Sequence, residues 1–339
     1  MLFAQRLSTG GCKMKKVTIT DIAQELGISP VTISRALSGQ PGVGSKLKNQ
    51  ILEKANEMGY VRAKKDEPYK ILVLYKKPIV QEVSNLNYMV QGIEKALQAV
   101  GADYYTEYID HEAQCQMVLP YHCTKGTVFD GVIFVGRFDP DYVTFIAKTI
   151  NSIISFTGHM NSSDYDSVGF NIHNAGYRQC KYLLQNGHRK IGFASGGGHK
   201  NRDRLLGIST AIEDLGIGSR EDKIETVKDG HYERLDELIA AGEMPSAFIC
   251  DSDYTALQLI KALHERELRV PDDVSIIGSG NTEFSQLSIP SLTTLDLNID
   301  YCCEVAVSTL LKRIERFDKP FESVEIVSRL VERDSVKKI

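Results

Sequence analysis

The chain has 339 residues, 42% hydrophobic and 25% charged, with a net charge of −4. That length exceeds one ordinary domain, so two or three are expected, with ample apolar material for their cores. No apolar run approaches the roughly 18 residues a bilayer crossing needs, and seven irregularly spaced cysteines point to a reducing cytoplasm rather than a disulfide framework.

Residues 1–14 are mixed in character and lack the apolar core of a signal peptide. They are expected to be a tail or an upstream-start extension, with Met14, directly before Lys15-Lys16-Val17, as the alternative start. From Val17 onward the pattern sharpens. Thr18 is placed to cap a helix, with Asp21 three residues on standing in for the usual capping-box Glu. Ile19, Ile22, Ala23 and Leu26 recur at helical spacing. Gly27 ends that helix, Ser29 caps the next, and Pro30 occupies the first helical position, where its missing N–H costs nothing. Ile33, Ala36 and Leu37 form the inner face of this second helix. Pro30, Val31, Thr32, Ser34 and Arg35 are left outside, with no carboxylate among them. Such a face suits a groove lined by phosphates; the plain alternative is a helical hairpin with a solvated outer side. A loop follows, then a third helix over Lys46–Gly59 with Leu47, Ile51, Leu52, Ala55 and Met58 inward. Residues 1–70 carry twelve Lys/Arg against six Asp/Glu, so a basic head precedes an acidic body. The head is assigned to 15–60 and a short linker to 61–70.

From residue 71 strand-like and helix-like runs alternate. Strands are expected at 71–75, 103–108, 131–135, 152–156, 190–194, 246–250 and 274–278. Helices are expected over 88–100, 175–186, 202–215 and 254–267. This alternation predicts an α/β body of two doubly wound parallel-sheet subdomains behind an all-α head, with a ligand cleft at the carboxyl ends of the strands. His111, Cys115, His122 and Cys123 crowd one segment without the paired spacing of a zinc site, so no metal is expected. Cys302 and Cys303 are expected on a helix, one inward and one outward. Ser195-Gly196-Gly197-Gly198 lacks the flanks of a nucleophile elbow and the Lys-Ser/Thr of a phosphate loop, and no dinucleotide fingerprint follows the first strand. Neither catalysis nor a cofactor is therefore expected.

The run Val17–Gly39 and the Gly59-Tyr60 end resemble the lac repressor (LacI/GalR) family of bacterial transcription regulators. The resemblance continues in Gly187-His188-Arg189-Lys190-Ile191, Arg204-Leu205-Leu206-Gly207, Val270–Gly278 and Ile289–Leu295, and spans about 17–335. It implies a periplasmic-binding-protein-like body with an N-subdomain near 71–170 and 298–324 and a C-subdomain near 171–297 and 325–335. It also implies a homodimer on double-stranded operator DNA, switched by a small, sugar-like effector. By resemblance, Pro30, Val31 and Arg35 read bases, while Thr18, Ser29, Thr32, Ser34, Ser38 and Tyr60 face phosphates. Arg204 takes the place of the family's effector-binding Arg, its alternative being an ion pair with Asp203 or Asp214. Ser252, Asp253, Phe170 and Asn281 complete the expected effector set, with core packing as the alternative for Phe170.

Two departures stand out. The linker Val61–Lys70 is shorter than the family's and lacks the Leu that wedges into the minor groove, so a hinge that tethers without a strong kink is expected. After Ile276-Ile277-Gly278 the family's carboxylate is missing, and Gly280 stands there, which puts a standard hexose effector in doubt. The reading is a ligand-responsive repressor. The alternatives are a solute-binding protein with a degenerate head and a regulator answering to a protein partner.

Overall fold

The computed structural model describes residues 17–37, 42–58, 60, 67–77, 86–158, 164–197, 201–215, 225–228 and 232–339. The expected tail at 1–14, Ser38 and linker residues 61–66 lie outside the described residues.

The head consists of α1 (Ile19–Leu26), α2 (Pro30–Leu37) and α3 (Ser45–Glu57). Its first helix starts where the capping pattern placed it. The Thr18 side chain accepts from the Asp21 N–H, and the Asp21 carboxylate accepts from the Thr18 N–H at 2.7 Å. Gly27 closes the helix at φ 66°, a left-handed turn that Gly adopts without the Cβ clash of other residues. Ile22, Ile33, Ala36, Ile51 and Ala55 meet in the head's core with no exposed surface.

The first half of the body comprises β1 (Lys70–Lys76), α4 (Leu86–Ala99), β2 (Asp103–Ile109), α5 (His111–Cys115), α6 (Tyr121–Thr124), β3 (Gly131–Val135), α7 (Pro140–Ala147), β4 (Ile153–Phe156) and β5 (Asp166–Phe170). The second comprises α8 (Ile172–Gln185), β6 (Ile191–Ser195), α9 (Asn201–Asp214), β7 (Glu225–Lys228), α10 (Glu233–Ala241), β8 (Ala247–Cys250), α11 (Asp253–His264), β9 (Ser275–Gly280), α12 (Glu283–Leu287) and β10 (Thr293–Asp296). The chain then returns to the first half as α13 (Ile299–Glu315) and β11 (Ser323–Ile326), and ends in the second with β12 (Arg329–Val331).

The two sheets have strand orders β2-β1-β3-β4-β5-β11 and β7-β6-β8-β9-β10-β12. All pairings are parallel except β10–β12. Parallel strands are covered on both faces, which is why β1, β3, β6 and β8 are near-continuous apolar runs. In each sheet the order reverses beside the first strand, between β1 and β3 and between β6 and β8. Ligands bind at such switch points in doubly wound folds.

Three details differ from expectation. The subdomain boundary placed at 324/325 falls inside β11, which pairs with β5 through Ile326. Cys302 and Cys303 are both buried, because α13 packs against α4 as well as against the sheet and so buries a wide arc. The strands β5, β7, β10, β11 and β12 were not anticipated, being short and, in β5 and β11, interrupted by polar residues.

Close helix packing explains the Arg-x-x-Gly stretch. A Cβ on Gly207 would sit 1.9 Å from the His173 carbonyl oxygen, and one on Gly176 would sit 2.2 Å from that of Arg204. The two glycines let α8 and α9 touch backbone to backbone, and this fixes where Arg204 points.

Candidate nucleic-acid interface and ligand cleft

On α2, the Ser29 hydroxyl accepts from the Thr32 N–H at 3.1 Å and lies 2.8 Å from the Thr32 hydroxyl, fixing the first turn. Ile33 and Ala36 are buried, while Pro30, Val31, Ser34 and Arg35 are exposed and Thr32 is half-buried. Val31 is 62% exposed. No acidic residue lies in the first turn. Thr18 is at the surface, its hydroxyl donating to Asp21 at 2.7 Å. Tyr60 corrects the expectation: at 7% exposure it packs in the head's core, because the chain turns inward after α3 with its N–H on the Ala55 carbonyl.

At the β6/β8 switch point the side chains form a buried polar knot. Arg204, on the first turn of α9, donates through Nη1 to Gln179 Oε1 at 2.6 Å. Its Nη2 reaches the Asp251 carbonyl at 3.3 Å and Ser279 Oγ at 3.4 Å. Gln179 in turn donates to the carbonyls of Cys250 at 3.1 Å and Gly278 at 2.7 Å, tying α8 to the ends of β8 and β9. The charge that supports Arg204 is Asp251, not Asp203 or Asp214. Burial lowers the Arg204 pKa and raises that of Asp251. Asp251 Oδ2 accepts from the Gly196 N–H at 3.0 Å, while its buried Oδ1 has no hydrogen-bond partner among the described residues. Ser195 Oγ accepts from the Gly197 N–H at 2.9 Å and from Asn201 Nδ2.

The remaining expected effector residues are engaged elsewhere. Asp253 is buried, and its carboxylate accepts from the Thr282 N–H at 2.7 Å, the Thr282 hydroxyl at 2.9 Å and the Thr294 hydroxyl. It staples α11 to the β9–α12 loop and β10, and burial raises its pKa. Ser252 caps α11 by accepting from the Thr255 N–H at 3.1 Å. Asn281 Oδ1 accepts from Arg333 Nη2 at 2.7 Å. Phe170 is buried edge-on against Phe156, with ring centroids 6.4 Å apart. Gln179, Asp251 and Ser279 were missed. Asp251 carried a signal, a carboxylate directly after an apolar strand; Gln179, inside a helix, carried none.

A three-helix head with an exposed, carboxylate-free second helix, joined to two doubly wound halves, defines a helix-turn-helix DNA-binding protein with a periplasmic-binding-protein-like body. Comparison with known proteins agrees. Residues 18–63 match the model for bacterial regulatory proteins of the lacI family, and 180–336 match a periplasmic binding protein-like domain. The HTH-type transcriptional repressor PurR of Mannheimia succiniciproducens is 29% identical over 336 residues, covering 95% of this chain and 99% of its own. The crystal structure of a lac repressor dimer bound to operator and the anti-inducer ONPF shares the fold, with a TM-score of 0.67 and 20% identity over 95% of this chain and all of that one. A LacI family regulator from Enterococcus faecium with bound ribose has a TM-score of 0.68 and 22% identity, covering 80% of this chain and 99% of its own. The chain thus joins a DNA-binding segment of the lacI family to a periplasmic-binding-protein-like domain: it is a DNA-binding transcriptional regulator and not an enzyme.

Proposed function

We propose that this protein is a homodimeric cytoplasmic repressor whose grip on operator DNA is switched by a small, sugar-like effector. The carrying observation is the outer face of α2, where Pro30, Val31 and Arg35 stand exposed on a helix whose opposite face buries Ile33 and Ala36. Arg35 offers a planar fork to guanine O6 and N7, and Val31 offers a methyl contact to thymine. Thr18, Ser29, Thr32 and Ser34 set register on phosphates. Tyr60 is left out of the contact set because it is buried. Binding of purified protein to operator and random duplexes tests this. Arg35→Ala is expected to cost about 1–3 kcal/mol on the operator and little on random DNA; equal losses on both overturn the assignment.

We place the effector at the β6/β8 switch point, beside Arg204, Asp251, Ser195 and Asn201. This position rests on the topology and on Asp251 Oδ1, which has no partner among the described residues and is an acceptor suited to a ligand hydroxyl. A thermal-shift screen of sugars, sugar phosphates, nucleosides and purines tests it: a true effector at 100 times its Kd adds about 2.7 kcal/mol. A regulator answering to a protein partner is the second reading, favoured by the intrachain commitment of Arg204, Asp253 and Asn281. A screen with no shift at millimolar ligand selects it.

Dimerisation is supported by an exposed apolar patch on α11, α12 and the following loop. Tyr254 stacks edge-on against Phe284 at 6.0 Å, and Leu287 and Ile289 are 78% and 90% exposed. A monomer rarely shows water that much clustered apolar surface.

A further inference from the structure

The head touches the first half of the body through residues that belong neither to the exposed face of α2 nor to the polar knot around Arg204. Phe317, in the loop between α13 and β11, packs against the head's core. Lys48 on α3 donates to Asn151 Oδ1, just before β4, at 2.6 Å. A cavity of about 230 Å³ lies between them, with Leu37 and Leu52 of the head on one side and Tyr165, Phe317 and Phe321 of the body on the other.

The body side of this contact is stiff. Arg313, at the end of α13, makes a two-pronged pair with Asp166 at 2.8 and 2.9 Å, and Lys319 Nζ adds a third contact at 2.8 Å. Arg313 also donates to the carbonyls of Phe317, Lys319 and Pro320 at 2.9, 2.6 and 2.9 Å, and its guanidinium stacks on Phe321 with the carbon 4.5 Å from the ring centroid. All three ionic groups are buried. The loop that presents Phe317 is thus clamped by its own backbone. The head side contributes a lysine whose ammonium burial makes less favourable, lowering its pKa, so the Asn151 carbonyl supplies the acceptor that this partly dried group needs.

We infer that the 316–322 loop together with Asn151 is a seat for the DNA-binding head of the same chain, holding it against the first half of the body independently of the linker. Seating leaves α2's reading face outward, since Pro30, Val31 and Arg35 remain exposed while Phe317 and Lys48 engage the other side. It therefore orients the head rather than blocking it.

The seat is also wired to the rest of the body. The loop joins α13 to β11, and the far ends of both elements lead across to the second sheet, at 297–298 and 327–328. With 17 residues, α13 spans about 25 Å at 1.5 Å per residue, carrying the crossing point to the seat as one rigid rod. A relative shift of the two halves would reach the head through Phe317 without passing along the linker.

Zero-length cross-linking tests this in the full chain without DNA. Asn151→Asp places a carboxylate against the Lys48 ammonium, and a water-soluble carbodiimide should join the two in an amide mapped by mass spectrometry within one chain. Phe317→Ala added to that variant is expected to cut the yield at least five-fold; should that body fail to fold, Leu52→Ala on the head side serves instead. A same-chain cross-link that falls with either change supports the seat. No cross-link, a cross-link between two chains, or a yield indifferent to these variants overturns it. None of these readouts involves DNA or effector, so the result stands apart from the operator and ligand assignments.

Discussion

At the scale of single residues, the proposed DNA reading and the stability of the fold draw on the same chemistry, an arginine fork, in opposite settings. Arg35 is exposed, as the proposed base contact requires; Arg313 is buried and spends its donors on Asp166 and three carbonyls. Breaking such a buried pair from one side leaves an uncompensated charge. Asp166→Asn is expected to destabilise the protein by about 3–5 kcal/mol at neutral pH, read from denaturant unfolding. Hydrogen bonds from Arg313, Lys319 and the Glu322 N–H outweigh burial and hold the Asp166 pKa below the usual carboxylate value. A depressed acid stabilises the fold above its unfolded pKa of about 3.9, and that contribution is lost as pH falls through the lower folded value. The gap between wild type and Asp166→Asn should therefore be full at pH 7 and close under acid; a gap that persists unchanged at pH 2 sinks the assignment. Arg204 lies between these extremes, buried like Arg313 yet bonded to the backbone of Asp251, whose Oδ1 has no partner among the described residues.

At the scale of elements, the head was legible because its signals are local. Thr18 with Asp21, Gly27, and Ser29 with Pro30 act within four residues of one another, and each helix end falls where they stand. The body helices were legible in outline: the run expected at 88–100 is Leu86–Ala99, and that at 254–267 is Asp253–His264. Short strands were not, because β5 (Asp-Ser-Val-Gly-Phe) and β11 (Ser-Val-Glu-Ile) have the composition of turns and are held as strands only by neighbours in the sheet. The linker belongs to this scale too. Without a Leu to wedge between base steps, its operator should bend little at the centre. Gel phasing with the full protein checks this; a kink as large as the tens of degrees that intercalating wedges produce would count against it.

At the scale of the whole molecule, two sheets of the same strand order are joined by three chain crossings, after β5, after β10 and after β11. Such a joint lets two rigid halves move relative to each other, and effector and DNA affinities become linked and reciprocal when that motion reaches the heads. Two heads need two chains. If the protein is the proposed homodimer, the double variant Leu287→Asp with Ile289→Asp, which puts charge into the apolar patch, is expected to yield monomers by sedimentation at micromolar concentration, with at least ten-fold weaker operator binding. An unchanged dimer would move the interface elsewhere.

By itself the sequence determined the helix-turn-helix head, its outward-facing Pro30, Val31 and Arg35, and the doubly wound class of the body. These rest on patterns that repeat over a few residues: caps, helical stripes and apolar strands. The tertiary structure alone decided what the polar side chains of the body do and how the head packs. It set Asp253 to stapling α11, turned Tyr60 inward, brought Asp251 and Gln179 to Arg204, and placed Phe317 under the head. Those partners lie tens to hundreds of residues apart in the chain, and only folding brings a hydrogen-bond donor to its acceptor across such distances.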